Sequence, residues 1–375
     1  MPRSYRLGII GFAHMHVNNL AGLFAQHPQV AWVACADTRP ANPEIRTAPY
    51  TRDWNREQIV SKFGVPKTYD DYQAMLKSEP FDIVIVCSEN ARHAEVVEAC
   101  AAAGAHVVVE KPMAGTLADG LRMARAAEAA GTLVVVNWPT TWSPVIRKAK
   151  ELLDGGAIGR VLEVKWRAGH TGPLGPQAKH PGVSETADIM TGPERAATWW
   201  HQAAPGGGAL IDYCCYGAKM ARWYIGEPAA AALGMQANLD STWGDADDNA
   251  VILVRFPGAL ALLEGSWTTL DHGVSPGPIV YGVTGTLVVE TKTDPPIVRI
   301  ERGRGQSEVF EAEPLPQGRH DIAHELIHHL ETGEPLHPTL QLAFNLDAQA
   351  ILDAGLRSAA SQKLELVNNA TWQIG

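Results

Sequence analysis

Cysteine is scarce, with five in 375 residues: Cys35, Cys87, Cys100, Cys214 and Cys215. An odd number at irregular spacing makes a poor disulfide framework and a poor thiolate zinc site, and points to a reducing compartment, the cytoplasm. Basic residues are also in deficit, 31 Lys+Arg against 41 Asp+Glu for a formal charge of −10, which disfavours a nucleic-acid surface or a patch for anionic lipid. No apolar run approaches the ~18 residues of a membrane span. The opening MPRSYRLGIIGF carries no cleavage-site pattern and reads as a first strand, not a signal peptide. What remains is an ordinary globular composition, 46% hydrophobic and 19% charged. At roughly 150 residues per domain, the length suggests two domains.

Strands and helices alternate over the first part of the chain. Tyr5–Ile10, Val30–Ala36, Phe81–Cys87, His106–Val109 and Leu133–Val136 read as strands, the third apolar apart from Asp82 as a strand buried on both faces should be. Helices are expected from about Met15 to Gln26, over Ala91–Ala103 and over Leu117–Ala130, the last two stopping at Gly104 and Gly131. The alternation implies right-handed crossovers and a doubly wound parallel sheet. Three prolines within Arg39–Arg56 break the rhythm and read as a surface insertion. Beyond Trp138-Pro139 strand-like segments follow one another without intervening helices, except for Asp212–Ile225, and a helical tail runs from His320 to Ser361. The expected architecture is α/β: a Rossmann domain over residues 1–140, then an α+β domain with a large, open, mainly antiparallel sheet over residues 141–375.

The first strand runs into Gly11-Phe12-Ala13-His14-Met15-His16. A dinucleotide site needs a tight turn that brings backbone N–H groups at a helix N-terminus to a pyrophosphate. Here the pattern is G-x-A-x-x-H in place of G-x-G-x-x-G/A. Ala13 is small enough for close approach, whereas His16 is expected to loosen helix–strand packing. Asp37 ends the second strand 26 residues after Gly11, where a carboxylate meets the adenosine ribose hydroxyls. It favours NAD over NADP, and Arg39, two residues on and past Thr38, keeps NADP open by offering a cation to a 2′-phosphate.

The string FDIVIVCSENARHAEVVEACAAAGAHVVVEKP, from Phe81 to Pro112, with its N-x-x-H, G-x-H-V and E-K-P elements, resembles the Gfo/Idh/MocA oxidoreductase family. Gly206-Gly207-Gly208-Ala209-Leu210-Ile211-Asp212 and the Gly282-x-x-Gly285 hairpin extend the likeness over nearly the whole chain. The resemblance implies oxidation or reduction of sugars, polyols or their derivatives with a nicotinamide cofactor. It also implies subunit contacts through the second sheet, giving a homodimer or homotetramer. It adds Ser88, Glu89, Asn90, His93, Glu110, Lys111, Asn137 and Trp138 to the turn and to Asp37, Thr38 and Arg39 as cofactor-contacting residues.

Taking hydride from a secondary alcohol requires a base for the hydroxyl proton. Lys111 follows a buried strand at its C-terminal end, where parallel sheets place ligands, and burial is expected to lower its pKa toward neutrality. Asp212 and Tyr216 share one helical face. The family usually carries histidine at the second of these positions, so Lys111 is expected to carry the proton, Asp212 to orient it, and Tyr216 to contact or relay. Trp138, Trp166, His170 and His180 offer aromatic faces and polar edges to a carbohydrate ring, and no metal is expected at this site. Three other readings compete. His324-Glu325-Leu326-Ile327-His328 spells the H-E-x-x-H of a zinc hydrolase, a non-catalytic NAD(H) or sugar sensor fits the loss of histidine at 216, and a redox-neutral enzyme would recycle a tightly bound NAD.

Overall fold

The computed structural model describes residues 3–40, 42–273 and 277–367. Six parallel strands form the first sheet: β1 (Tyr5–Ile10), β2 (Val30–Ala36), β3 (Thr68–Tyr69), β4 (Ile83–Val86), β5 (His106–Glu110) and β6 (Val134–Asn137), in the order β3-β2-β1-β4-β5-β6. Leu7 and Ile9 of β1 face one apolar core while Ile10 faces another, so both sides of the sheet are buried, as its unbroken apolar strands require. Of the helices, α1 (Val17–Ala25), α2 (Arg52–Phe63), α3 (Tyr72–Ser78), α4 (His93–Ala102) and α5 (Leu117–Ala130) interleave with these strands. The chain order reverses between β1 and β4, and the crevice beyond their C-terminal ends is the ligand position of doubly wound sheets.

Helix α2 begins inside the stretch read as an insertion. Its buried face is Arg52, Asn55 and Ile59, largely polar, so the sequence carries no apolar stripe there. Thr51 precedes it, and Gly64 ends it in the left-handed conformation.

After α6 (Pro144–Asp154), a second sheet of nine strands is built from β7 (Val161–Gly169), β8 (Ala231–Ala237), β9 (Asn249–Arg255), β10 (Leu260–Ser266), β11 (Ile279–Gly282), β12 (Thr286–Glu290), β13 (Ile297–Gly303), β14 (Gln306–Glu311) and β15 (Glu365–Leu366). All its pairings are antiparallel except β10 with β7. Between β7 and β8 lie α7 (Gly192–Ala196), a single π turn at Leu210–Cys214, and α8 (Cys215–Ile225). The tail forms α9 (Ile322–Thr332) and α10 (Leu342–Ser361). Helix α10 packs on β8, but α9 returns to the first sheet, where Ile322, Leu326 and Ile327 join Leu7, Ile9 and Phe24 in one core.

The long connection from β7 to α8 also crosses back. Trp199, Trp200, Leu174 and Met190 bury themselves against Ala13 and Met15 of the first turn. Trp199 Nε1 donates to Ala13 O at 2.8 Å, and Asn90 Nδ2 donates to Gly206 O at 2.8 Å. Gly206 has φ +90, and a Cβ there would meet the Asn90 Cβ at 2.8 Å, so only glycine allows this approach.

Candidate active site

The β1 turn is set by Gly11, whose φ of +90 and closeness to the Ser88 backbone, 2.5 Å from an added Cβ, exclude a side chain. Phe12, Ala13, His14 and Met15 are all buried. Asp37, at the end of β2, accepts on one oxygen, Oδ1, from Phe12 N (3.1 Å), Thr38 N (2.8 Å) and Arg52 Nη1 (2.6 Å). Arg52 also pairs with Glu89, which accepts from Thr38 Oγ1. Burial raises the Asp37 pKa above the ordinary carboxylate value although Arg52 opposes it. Asp37, Thr38 and Arg39 line a cavity of about 550 Å³.

A second cavity, of about 260 Å³, lies at the exits of β1 and β5 beneath the second lobe, and its walls include His14, His16, Lys111, His170, His180, Asp212, Tyr213 and Tyr216. Lys111 and Asp212 form a buried ion pair there, with Lys111 Nζ also donating to Asp212 O at 3.1 Å. The second Asp212 oxygen accepts from Trp267 Nε1 at 3.0 Å. Desolvation alone would lower the Lys111 pKa, but Asp212, followed by Tyr216, Cys215 and Glu110, outweighs it and holds the amine well above its ordinary value. Conversely, burial would raise Asp212, and Lys111 overrides it to keep the carboxyl below its usual range. Lys111 is therefore an ammonium, which corrects the expectation of a near-neutral amine. The reason is the paired carboxylate: burial with a counter-ion stabilises charge, whereas burial without one removes it.

Tyr216 lines the same cavity. Burial pushes its hydroxyl pKa up, with Lys111 opposing only in part, so no phenolate forms at neutral pH. The Lys111 Nζ lies 4.9 Å from the centre of the Tyr216 ring, a cation over an aromatic face. Trp166 stacks on the same ring and Trp138 meets it edge-on. Trp138 donates to Asn345 Oδ1 at 2.7 Å. These two tryptophans support Tyr216 from the core and do not line the cavity.

Glu110 is fully buried, with Oε2 accepting from Asn137 Nδ2 at 2.7 Å and Oε1 2.8 Å from His16 Nδ1. His93 is a tie, not a groove residue: its ring nitrogens meet Pro112 O, Met113 O and Ser88 O at 3.1–3.2 Å, joining the β4 and β5 exits. Ser88 is buried beside Gly11, and Asn90 is engaged by Gly206. His170 and His180 do face the cavity, and burial lowers both pKa values, His180 to about 4. His16 and Tyr213 also line the cavity, although the sequence pattern assigns neither to a substrate site. The H-x-H spacing at the turn was the available signal.

The H-E-x-x-H segment does not assemble a zinc centre. Glu325 is buried and held by Arg319, His324 pairs with Asp321 at 2.9 Å, and His328 pairs with Glu334 at 2.9 Å. All five cysteines are free and buried.

Residues 5–138 match the family model described as an oxidoreductase family with an NAD-binding Rossmann fold, and residues 146–288 match the GFO/IDH/MocA C-terminal domain. The chain is 26% identical over 293 residues to a myo-inositol 2-dehydrogenase of Thermotoga maritima, covering 76% of this chain and 80% of the relative. It is 24% identical over 308 residues to a levoglucosan dehydrogenase of Pseudarthrobacter phenanthrenivorans, covering 76% and 72%. Among solved structures, an aldose-aldose oxidoreductase from Caulobacter crescentus complexed with glycerol shares the fold at a TM-score of 0.74 and 21% identity, over 97% of this chain and all of that one. A levoglucosan dehydrogenase bound to NADH and levoglucosan aligns at 0.71 and 20% identity, over 98% and 100%.

Proposed function

Because the chain belongs to the Gfo/Idh/MocA oxidoreductase family, we propose that it is an NAD(P)-dependent enzyme moving hydride between a nicotinamide cofactor and a secondary hydroxyl of a sugar, polyol, cyclitol or glycoside. The observation that carries this reading is the buried Lys111–Asp212 pair facing a cavity at the C-terminal edge of a Rossmann sheet. Relatives named for myo-inositol and levoglucosan support a polyhydroxylated ring as substrate. In this reading residues 1–140 bind cofactor, residues 141–375 bind substrate, and the enzyme works in the cytoplasm.

The residues suit a dinucleotide at both ends of the groove. At one end Asp37 spends its bonds on Oδ1, which leaves Oδ2 for ribose hydroxyls beside Arg39. At the other, Glu110 and Lys111 stand together at the β5 exit. Between them Trp199 and Trp200 pack against Ala13 and Met15 of the turn. The nicotinamide supplies the hydride acceptor or donor when bound. Lys111 holds a proton toward the substrate oxygen, which suits it to protonate the oxygen of a ketone being reduced and to stabilise negative charge there. Asp212 fixes the direction of that N–H and is itself fixed by Trp267. Tyr213, its hydroxyl kept neutral by burial, and the neutral rings of His170 and His180 offer hydrogen bonds to neighbouring hydroxyls.

The test is a screen of cyclitols, hexoses and glycosides with NAD and NADP, following nicotinamide absorbance, beside the Lys111→Ala variant. Turnover by the parent and loss of at least about 10²-fold in the variant, with NAD binding retained, is expected. Undiminished turnover in Lys111→Ala removes the amine from the role proposed for it.

A further inference from the structure

Behind the wall of the Lys111 cavity Glu110 is fully buried with no Lys or Arg of its own among the described residues, since Lys111 is paired with Asp212. Glu110 is left with an amide N–H on Oε2 and two imidazoles facing Oε1: His16 Nδ1 at 2.8 Å and His14 Nε2 at 3.8 Å. His14 is 2% exposed and its Nε2 has no hydrogen-bond partner. A buried carboxylate beside an unpartnered imidazole calls for a positive charge between them.

We propose that His14, His16 and Glu110 bind one divalent transition-metal ion, of the size and ligand preference of Zn²⁺, with an open coordination position facing the Lys111 cavity. The three ligand atoms lie within 4.8 Å of one another. Tetrahedral zinc with bonds of about 2.0–2.1 Å needs them about 3.3 Å apart, a closure that side-chain rotations can supply. Two imidazoles and one carboxylate form a donor set suited to zinc and its first-row neighbours, with room for a water or substrate oxygen as the fourth ligand. The Asn137 amide on Oε2 holds the carboxylate so that Oε1 faces the ion, as outer partners of metal ligands do. Ligation through His14 Nε2 places the ring proton on Nδ1, and so gives up the long 3.2 Å bond that Nδ1 accepts from His16 N. His170, whose Nδ1 is also buried without a partner, and His180 flank the open position.

Such an ion would draw a substrate hydroxyl or carbonyl oxygen toward Lys111 and polarise it as a Lewis acid. This departs from the metal-free site expected from the sequence. It does not rest on the dehydrogenase reading, because the ligands and the buried carboxylate are present whatever the cofactor.

The test is metal binding by the intact chain, with Zn²⁺ and Co²⁺ alone as probes. Calorimetry on chelator-stripped protein should give one tight Zn²⁺ site per chain, and Co²⁺ should give the visible absorption of a low-coordinate site. His14→Ala and His16→Gln should each weaken Zn²⁺ binding by about 100-fold or more with the circular dichroism spectrum unchanged. His324→Ala, which alters the surface cluster of His320, Asp321 and His324, should leave the tight site intact. Substoichiometric uptake by the parent overturns the proposal. Parent-like affinity in both ligand variants overturns it too. NAD titration of the same variants reports on the dinucleotide site separately.

Discussion

At the residue scale, the Lys111–Asp212 pair sets the pH behaviour. The folded-state pKa of Lys111 is raised and that of Asp212 lowered. Stability from the lysine is therefore complete below its unfolded pKa of about 10.4 and is lost as pH rises through the folded value. Stability from the aspartate is complete above about 3.9 and is lost as pH falls through its folded value. The pair stays ionised throughout the range between, so kcat/KM for carbonyl reduction should show no alkaline limb from Lys111 at or below neutrality. A limb there that disappears in Lys111→Arg would contradict the assignment. Asp37→Ala should shift the NAD/NADP ratio of kcat/KM toward NADP, since it removes a charge that repels a 2′-phosphate; an unchanged ratio excludes that role. Lys111, Asp212 and Glu110 were legible in the sequence because short motifs place them at strand and helix ends. Lysine ionisation was not, because it depends on a partner 101 positions away. Trp138 and Trp166 were read as sugar platforms, yet a tryptophan looks the same in sequence whether it faces a ligand or Tyr216.

At the element scale, α2 and the β7–α8 connection carry what the sequence concealed. Among the described residues Arg52 is the one cation in contact with both Asp37 and Glu89, and it sits at the start of a helix whose buried side is largely polar. Arg52→Ala should cost about 3–5 kcal/mol in denaturant unfolding, because two carboxylates lose their counter-ion inside the fold. Strands β1 and β2 were legible to the residue, since period and composition agree there. The π turn carrying Asp212 was not: its extra backbone residue per turn leaves no mark in composition. Trp199→Ala should destabilise the chain by about 3–5 kcal/mol and speed NAD association in stopped-flow fluorescence by uncovering the Gly11–Met15 turn. Slower association would show that the tryptophan supports the dinucleotide instead of screening it.

For the whole molecule, the outer face of the second sheet presents Leu233, Leu253 and Leu262 side by side in register, with Met235 exposed next to them. We propose that a second copy of the chain covers this face, giving a homodimer or homotetramer. Leu253→Glu should then release smaller species in light scattering; an unchanged mass, or a monomeric parent, rules the face out. The alternation of strands and helices made the first sheet legible, and the run of strands the second. The path of the tail was not, because an apolar helix in sequence does not say which sheet it will cover.

That path has a practical outcome. Since α9 seals Leu7, Ile9 and Phe24, the nucleotide half borrows its last wall from residues some three hundred positions downstream. Expressed alone, residues 1–140 would expose an oily flank and clump, and adding a peptide spanning Asp321–Leu340 should rescue them.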